Sequence, residues 1–185
     1  METVDLMRQL SEASGVSGYE EEVRQVVRRA FEPVADQVRS DALGNLIALK
    51  RGSGGEEGTS RRSIMLAAHT DEIGLMVTGL EKGFIRFTRV GGVDVRTILG
   101  QEVVVHGRRP LGGVVASHPP HVLSAEERKK AVTLDKLFID VGLPQEELEQ
   151  VVRVGDLITM RRDMLELANG YLAGKAFDDR AGVAS

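Results

Sequence analysis

Between residues 73 and 160 the chain changes texture, and that change narrows the folds open to it. Short β-like runs recur there with turn residues between them. Residues 75–80 and 84–88 flank Glu81-Lys82-Gly83, a hairpin pattern. Residues 102–106 and 113–116 flank a Gly/Pro turn, and residues 138–141 and 157–160 add two further strands. The segments on either side carry helical and mixed signals instead. The expectation is an α/β domain interrupted by a small inserted β domain, with parts at 1–72, 73–162 and 163–185.

The opening fifty residues read as helix, helix, strand, strand. Ser17-Gly18-Tyr19-Glu20 has the spacing of a capping box, with a hydroxyl at the N-cap and a carboxylate three residues on. Val23, Val26, Val27, Ala30 and Phe31 then fall on one helical stripe, which Pro33 ends. Glu20-Glu21-Glu22 reads as acids at the positive end of a helix dipole rather than as catalytic carboxylates. Residues 38–49 form two extended pieces around Asp41-Ala42-Leu43-Gly44-Asn45, which carries turn chemistry. Residues 51–62 are a polar Gly/Ser/Glu loop. Residues 64–68 are a continuous apolar run, suited to a strand buried on both faces of a parallel or mixed sheet. Residues 171–180 read as a strand, a tight acidic turn and the start of a helix.

Composition excludes several functions. With 42% hydrophobic and 28% charged residues, the 185-residue chain is globular rather than disordered. The formal charge of −4 comes with no basic patch, so nucleic acid is not an expected partner. No apolar stretch of about 18 residues exists to cross a membrane. Glu2 and Asp5 follow Met1 where a signal peptide would carry a basic segment and an apolar run. The absence of cysteine rules out disulfides, thiolate catalysis and Cys-ligated zinc, and it suits a reducing, cytoplasmic setting.

Two places combine reactive side chains with a special backbone context. Ala67-Ala68-His69-Thr70-Asp71-Glu72 lies at the C-terminal end of the apolar run, where ligands gather in open α/β sheets. His69 can present its imidazole to a metal there. Asp71 can accept the other ring N–H, which fixes the tautomer. A turn role for the acids beside a surface histidine stays open on spacing alone. Asp178-Asp179-Arg180 is the second place. Adjacent acids need a cation or hydrogen bonds to sit side by side, and a carboxylate there can bridge two metal ions. An N-cap is the alternative, and taken alone the simpler one. His106 reads as a half-exposed strand residue. His118 and His121 flank Pro119-Pro120, an extended corner with a structural or interface role. No Ser-His-Asp pattern is convincing, and neither Gly91-Gly92 nor Gly112-Gly113 continues into a phosphate loop.

Taken together and in order, six motifs resemble one family. They are Ser14-Gly15-Val16-Ser17-Gly18-Tyr19-Glu20, Asp41-Ala42-Leu43-Gly44-Asn45-Leu46, Ala67-Ala68-His69-Thr70-Asp71-Glu72-Ile73-Gly74, Leu99-Gly100-Gln101, Ser117-His118-Pro119-Pro120-His121 and Gly174-Lys175-Ala176-Phe177-Asp178-Asp179-Arg180-Ala181-Gly182. The chain is similar to the TET-type cocatalytic metallo-aminopeptidases, family forty-two of the metallopeptidases, some of which carry an endoglucanase label. The resemblance implies an α/β fold of the zinc-aminopeptidase type: a mixed sheet with helices, interrupted by a small β-barrel-like domain that dimerises. It implies that His69 is a terminal ligand of one metal. Asp178 would bridge two metals and be joined to Asp179 by a cis bond. Asp71, carried over as the catalytic residue, would orient His69. It further implies two divalent ions, zinc or cobalt, a water they activate with a glutamate base, peptide substrates, and homo-oligomers from dimers to hollow particles.

The family's pattern continues past Asp-Asp-Arg, with a glutamate pair, a further carboxylate and a last histidine downstream. The expectation is therefore an N-terminal portion, with two ligands against the about four that each metal needs, and with little activity alone. Two other readings accompany it. One is a non-catalytic assembly module. The other is a glycoside hydrolase, which needs two carboxylates facing a sugar across about 5–10 Å.

Overall fold

The computed structural model describes residues 2–53 and 62–185; residues 54–61, most of the polar loop expected at 51–62, lie outside the described residues. In chain order the elements are α1 (Thr3–Glu12), α2 (Glu21–Phe31), β1 (Gln37–Ser40), β2 (Leu46–Leu49), β3 (Gly74–Glu81), β4 (Phe84–Val90), α3 (Val95–Ile98), β5 (Glu102–His106), β6 (Pro110–Ser117), β7 (Leu137–Asp140), α4 (Gln145–Val151), β8 (Leu157–Met160), β9 (Leu165–Glu166), β10 (Leu172–Ala173) and α5 (Phe177–Ala184). They fall into two compact units: Met1–Asp71 together with Asp163–Ser185, and Glu72–Arg162.

The Glu72–Arg162 unit is a closed barrel of six antiparallel strands in the order β3-β4-β7-β6-β5-β8. Its strands alternate in the way a barrel requires, one face in and one face out. Leu75 and Val77 of β3, Ile85 and Phe87 of β4, Val103 and Val105 of β5, and Leu137 and Ile139 of β7 fill the interior. Leu148 of α4 and Val152 beyond it pack against the same core. The β3–β4 hairpin turns through Lys82 and Gly83, at φ 53° and 86°, the left-handed pair that a two-residue hairpin needs. Closure pairs every strand on both sides, so the unit carries no exposed sheet edge.

The other unit combines helices with two short antiparallel ribbons, β1–β2 and β9–β10. Leu10 and Ala13 from the α1 end meet Val23, Val26 and Val27 of α2, with Leu46 of β2 and Val183 and Ala184 of α5 packed around them. The β1–β2 turn is held by Asp41, whose Oδ1 accepts from the backbone N–H groups of Leu43 (3.0 Å) and Asn45 (2.9 Å). Among the described residues no helix is long and apolar enough to cross a membrane.

Two expectations need correction. Residues 64–68 form no strand, and Ile64, Met65 and Leu66 are 88%, 89% and 92% exposed. An apolar strand is buried by neighbours on both edges and both faces, and the described residues supply none of these for this segment. The capping box is also absent. α2 begins at Glu21, and its N-cap Glu20 makes no side-chain cap hydrogen bond. The Glu20 carboxylate instead accepts from the Gly18 N–H at 2.6 Å, and the Ser17 hydroxyl is engaged elsewhere.

The barrel makes a paired test available on two adjacent glycines of β6. A Cβ on Gly113 would lie 2.9 Å from Val141 Cγ1 and 3.0 Å from both the Asp140 carbonyl and Ile139 Cγ2, whereas one on Gly112 meets nothing within 4 Å. Gly113→Ala is expected to cost about 1–3 kcal/mol through overpacking. Gly112→Ala is expected to be neutral or slightly stabilising. Urea unfolding midpoints of the two variants check this, and equal midpoints would contradict the register.

Candidate metal centre

The apolar run leads into His69, and Asp178 is the second residue of α5; 109 positions apart in sequence, the two side chains meet within the α/β unit. The turn that delivers Asp178 has an unusual backbone. Ala176 is left-handed at φ 57°, the Asp178–Asp179 peptide bond is cis, and neither aspartate has helical dihedrals although both lie within α5.

The His69 ring is held between two carboxylates. Its Nδ1 lies 2.8 Å from Asp71 Oδ1, and its Nε2 lies 3.3 Å from Asp178 Oδ1. Desolvation works against the charged ring, but the hydrogen bond and charge of Asp71, followed by those of Asp178, outweigh it and raise the His69 pKa above its ordinary value. Asp71 is held in turn by Ser17, whose hydroxyl donates to Asp71 Oδ2. That hydrogen bond is the largest influence on Asp71. With the contribution from His69 it holds the carboxyl below its usual value against the opposing effect of burial. Ser17, Asp71, His69 and Asp178 thus form one chain of polar contacts.

The donor set and spacing fit a divalent ion. A ring whose Nδ1–H is given to Asp71 keeps its Nε2 lone pair for a metal. Two ligand atoms at about 2.1 Å from one tetrahedral ion stand about 3.4 Å apart, close to the separation of His69 Nε2 and Asp178 Oδ1. Among the described residues no group of three or more His, Cys, Asp or Glu forms a complete metal-holding set.

The other histidines are engaged differently. His106 on β5 lies with its Nε2 2.9 Å from the Thr159 hydroxyl of β8. His118 is exposed and sits against the Phe138 ring at 5.7 Å between centroids, and His121 is exposed as well. Ser17 is the site residue that sequence reading missed. Its place in an apparent capping box masked it, and the one available signal was its position in the Ser-Gly-Val-Ser-Gly stretch ahead of α2.

Comparison with known proteins gives a consistent picture. Residues 44–185 match the sequence model of the M42 glutamyl aminopeptidase family. The lysyl aminopeptidase of Pyrococcus furiosus is 35% identical over 184 residues, covering 95% of this chain and 51% of that protein. The TET aminopeptidase of the marine sediment archaeon Thaumarchaeota archaeon SCGC AB-539-E09 superimposes with a TM-score of 0.87 at 39% identity, over 97% of this chain and 51% of that one. The TET1 peptidase of Pyrococcus horikoshii, which can assemble into a tetrahedron or a large octahedral shell, superimposes with a TM-score of 0.82 at 34% identity, over 99% of this chain and 54% of its own. The chain spans about half the length of the relatives it matches.

The polar chain through Ser17 has a measurable consequence. Ser17→Ala removes the largest influence on Asp71, so the carboxyl is expected to titrate higher, towards its ordinary value. A carboxyl lowered in the folded state stabilises the fold above its unfolded pKa of about 3.9, and that contribution is lost as pH falls through the folded value. The variant should therefore be less stable near neutral pH and should lose less on acidification. Carboxyl-carbon NMR titration of Asp71 checks the shift, and an unmoved titration would rule the hydroxyl out as its main support.

Proposed function

The chain belongs to the M42 glutamyl aminopeptidase family, and on that premise we propose that it is the N-terminal portion of a metal-dependent aminopeptidase that removes N-terminal residues from peptides. The observation that carries this reading is the His69 ring, backed by Asp71 on one nitrogen and facing Asp178 with the other. Glycoside hydrolysis works through a pair of carboxylates across the sugar, whereas a histidine set between carboxylates suits metal binding.

In this reading His69 offers the Nε2 lone pair to one ion, and Asp71 keeps the ring in that tautomer and orientation. Asp178 offers Oδ1 beside it. Its side chain is 99% exposed, which leaves the second oxygen open to a second ion and supports a bridging role. Divalent ions at such a site, zinc or cobalt, supply Lewis-acid polarisation of the scissile carbonyl and a lowered pKa for the attacking water.

His69 and Asp178 provide one nitrogen and one carboxylate, short of the about four ligands a tetrahedral ion takes. The remaining groups are assigned to the half of the relatives' length that this chain does not span. The exposure of residues 64–66 supports the same assignment, since an apolar run of this kind is suited to burial under further strands. Assembly into homo-oligomers, through the barrel and up to hollow particles, belongs to the reading and is supported by the likeness to a shell-forming peptidase. A cytoplasmic place of action suits a chain without cysteine.

The test uses a chimaera joining residues 1–185 to the second half of the Pyrococcus furiosus relative, assayed on amino-acid p-nitroanilides with zinc or cobalt. Turnover is expected to vanish on chelation and in His69→Ala and Asp178→Ala, while Asp71→Asn weakens metal affinity about 10–100-fold. The 185-residue chain alone is expected to give little turnover. Clear metal-dependent turnover by that chain would overturn the assignment of the missing ligands, and turnover that survives chelation would overturn the metal reading.

A further inference from the structure

We propose that Arg180 is a positioning residue for the candidate centre: one buried guanidinium ties the segment carrying His69 to the segment carrying Asp178. The inference rests on the reading of those two residues as ligands. Arg180 is 0% exposed, and it follows Asp178 by two residues. Its Nε donates to the carbonyl of Thr70, the residue between His69 and Asp71, at 2.7 Å. Its Nη1 donates to the carbonyls of Leu10 (2.6 Å) and Ala13 (2.7 Å).

Those last two acceptors lie at the C-terminal end of α1, where helix carbonyls lack partners and the dipole is negative. α1 has no basic residue in its own last turn; its C-terminal carbonyls receive Arg180 from α5 and, at Ala13, the Lys175 ammonium at 3.1 Å as well. An arginine side chain stays charged when buried, and burying it is costly unless hydrogen bonds compensate. The packing is close. A Cβ on Gly15 would fall 2.5 Å from Arg180 Nη2 and 2.8 Å from Val23 Cγ1, so the glycine leaves room for the guanidinium.

The planar fork is what lets one side chain serve both sides. Its donors have fixed mutual directions, so fixing Nη1 on the α1 carbonyls also fixes where Nε meets Thr70. Lysine carries the same charge as a compact ammonium on a flexible stem and cannot hold that geometry. Loss of the fork frees the Thr70 carbonyl, and the His69 ring then loses its fixed approach to Asp71 and Asp178.

The readout is the His69 Nδ1–H proton in the 15N-histidine-labelled 185-residue chain, without metal and at one fixed pH. In Arg180→Lys it is expected to exchange with solvent about 10–100-fold faster, the factor for losing one hydrogen bond to a charged group. Gly15→Ala, which displaces the guanidinium but keeps it, should act in the same direction. Val27→Ala, at a buried position of the same α1–α2 core, should lower the melting temperature and leave the His69 signal in place. An unchanged His69 signal in either folded site variant, or an equal effect in Val27→Ala, overturns the proposal.

A measurement on the unmodified chain decides the matter if neither site variant folds. In mild urea the His69 Nδ1–H and the Arg180 Nε–H should lose protection in one opening event, and separate openings overturn the proposal. Zinc titration of the unmodified chain, followed at His69 Nε2, tests the ligand reading by itself.

Discussion

Every buried strand needs partners on both edges, and the two units of this chain meet that demand in different ways. The barrel meets it internally. Six strands close on themselves, and apolar side chains from β3, β4, β5 and β7 fill the space inside. The α/β unit has two-stranded ribbons, a small cluster around Leu10 and Val23, and an apolar run at 64–66 left in solvent. Its helices α1, α2 and α5 meet in that cluster.

The same contrast governs the chemistry. His69 is 55% exposed, Asp71 36% and Asp178 99% by side chain. Charges this open to water interact weakly, and an ion held by two of them would keep most of its hydration. The arrangement is nevertheless specific. Ser17 fixes Asp71, Asp71 fixes the ring, and the ring faces Asp178. Orientation is present, while the low-dielectric surroundings that make such orientation effective in catalysis are not supplied by these residues.

The barrel was legible in the sequence because its signals are local. Short β-like runs and the Glu81-Lys82-Gly83 turn between two of them sit within a few residues of the pairing they specify. The contact between His69 and Asp71 was legible for a similar reason, since the two lie two positions apart after an apolar run. Ser17 was not, because a hydroxyl three residues ahead of a carboxylate looks the same whether it caps its own helix or donates to an aspartate 54 residues away. The exposure of 64–66 was not legible either, since an apolar run shows that burial suits it without showing which chain provides it. Arg180 illustrates the limit most sharply. A charged residue is read by default as a surface residue, and only the folded chain reveals three carbonyls converging on its position.

That His69 and Asp178 meet across 109 positions also has a physical explanation. A flexible connection of that length would carry a closure cost that grows with the logarithm of its length and would leave the site loosely defined. Here most of the intervening chain is a closed barrel with its own core, so its conformational entropy is offset within the barrel. What remains for the α/β unit is to align two short segments, residues 69–71 and 178–180. The contacts that do so are few and all polar: Ser17 on Asp71, the two carboxylates on His69, and the guanidinium of Arg180 on the Thr70 carbonyl. Polar contacts are directional where apolar ones are not, so a small number of them can set the geometry of two side chains that the hydrophobic cluster alone would leave free to turn.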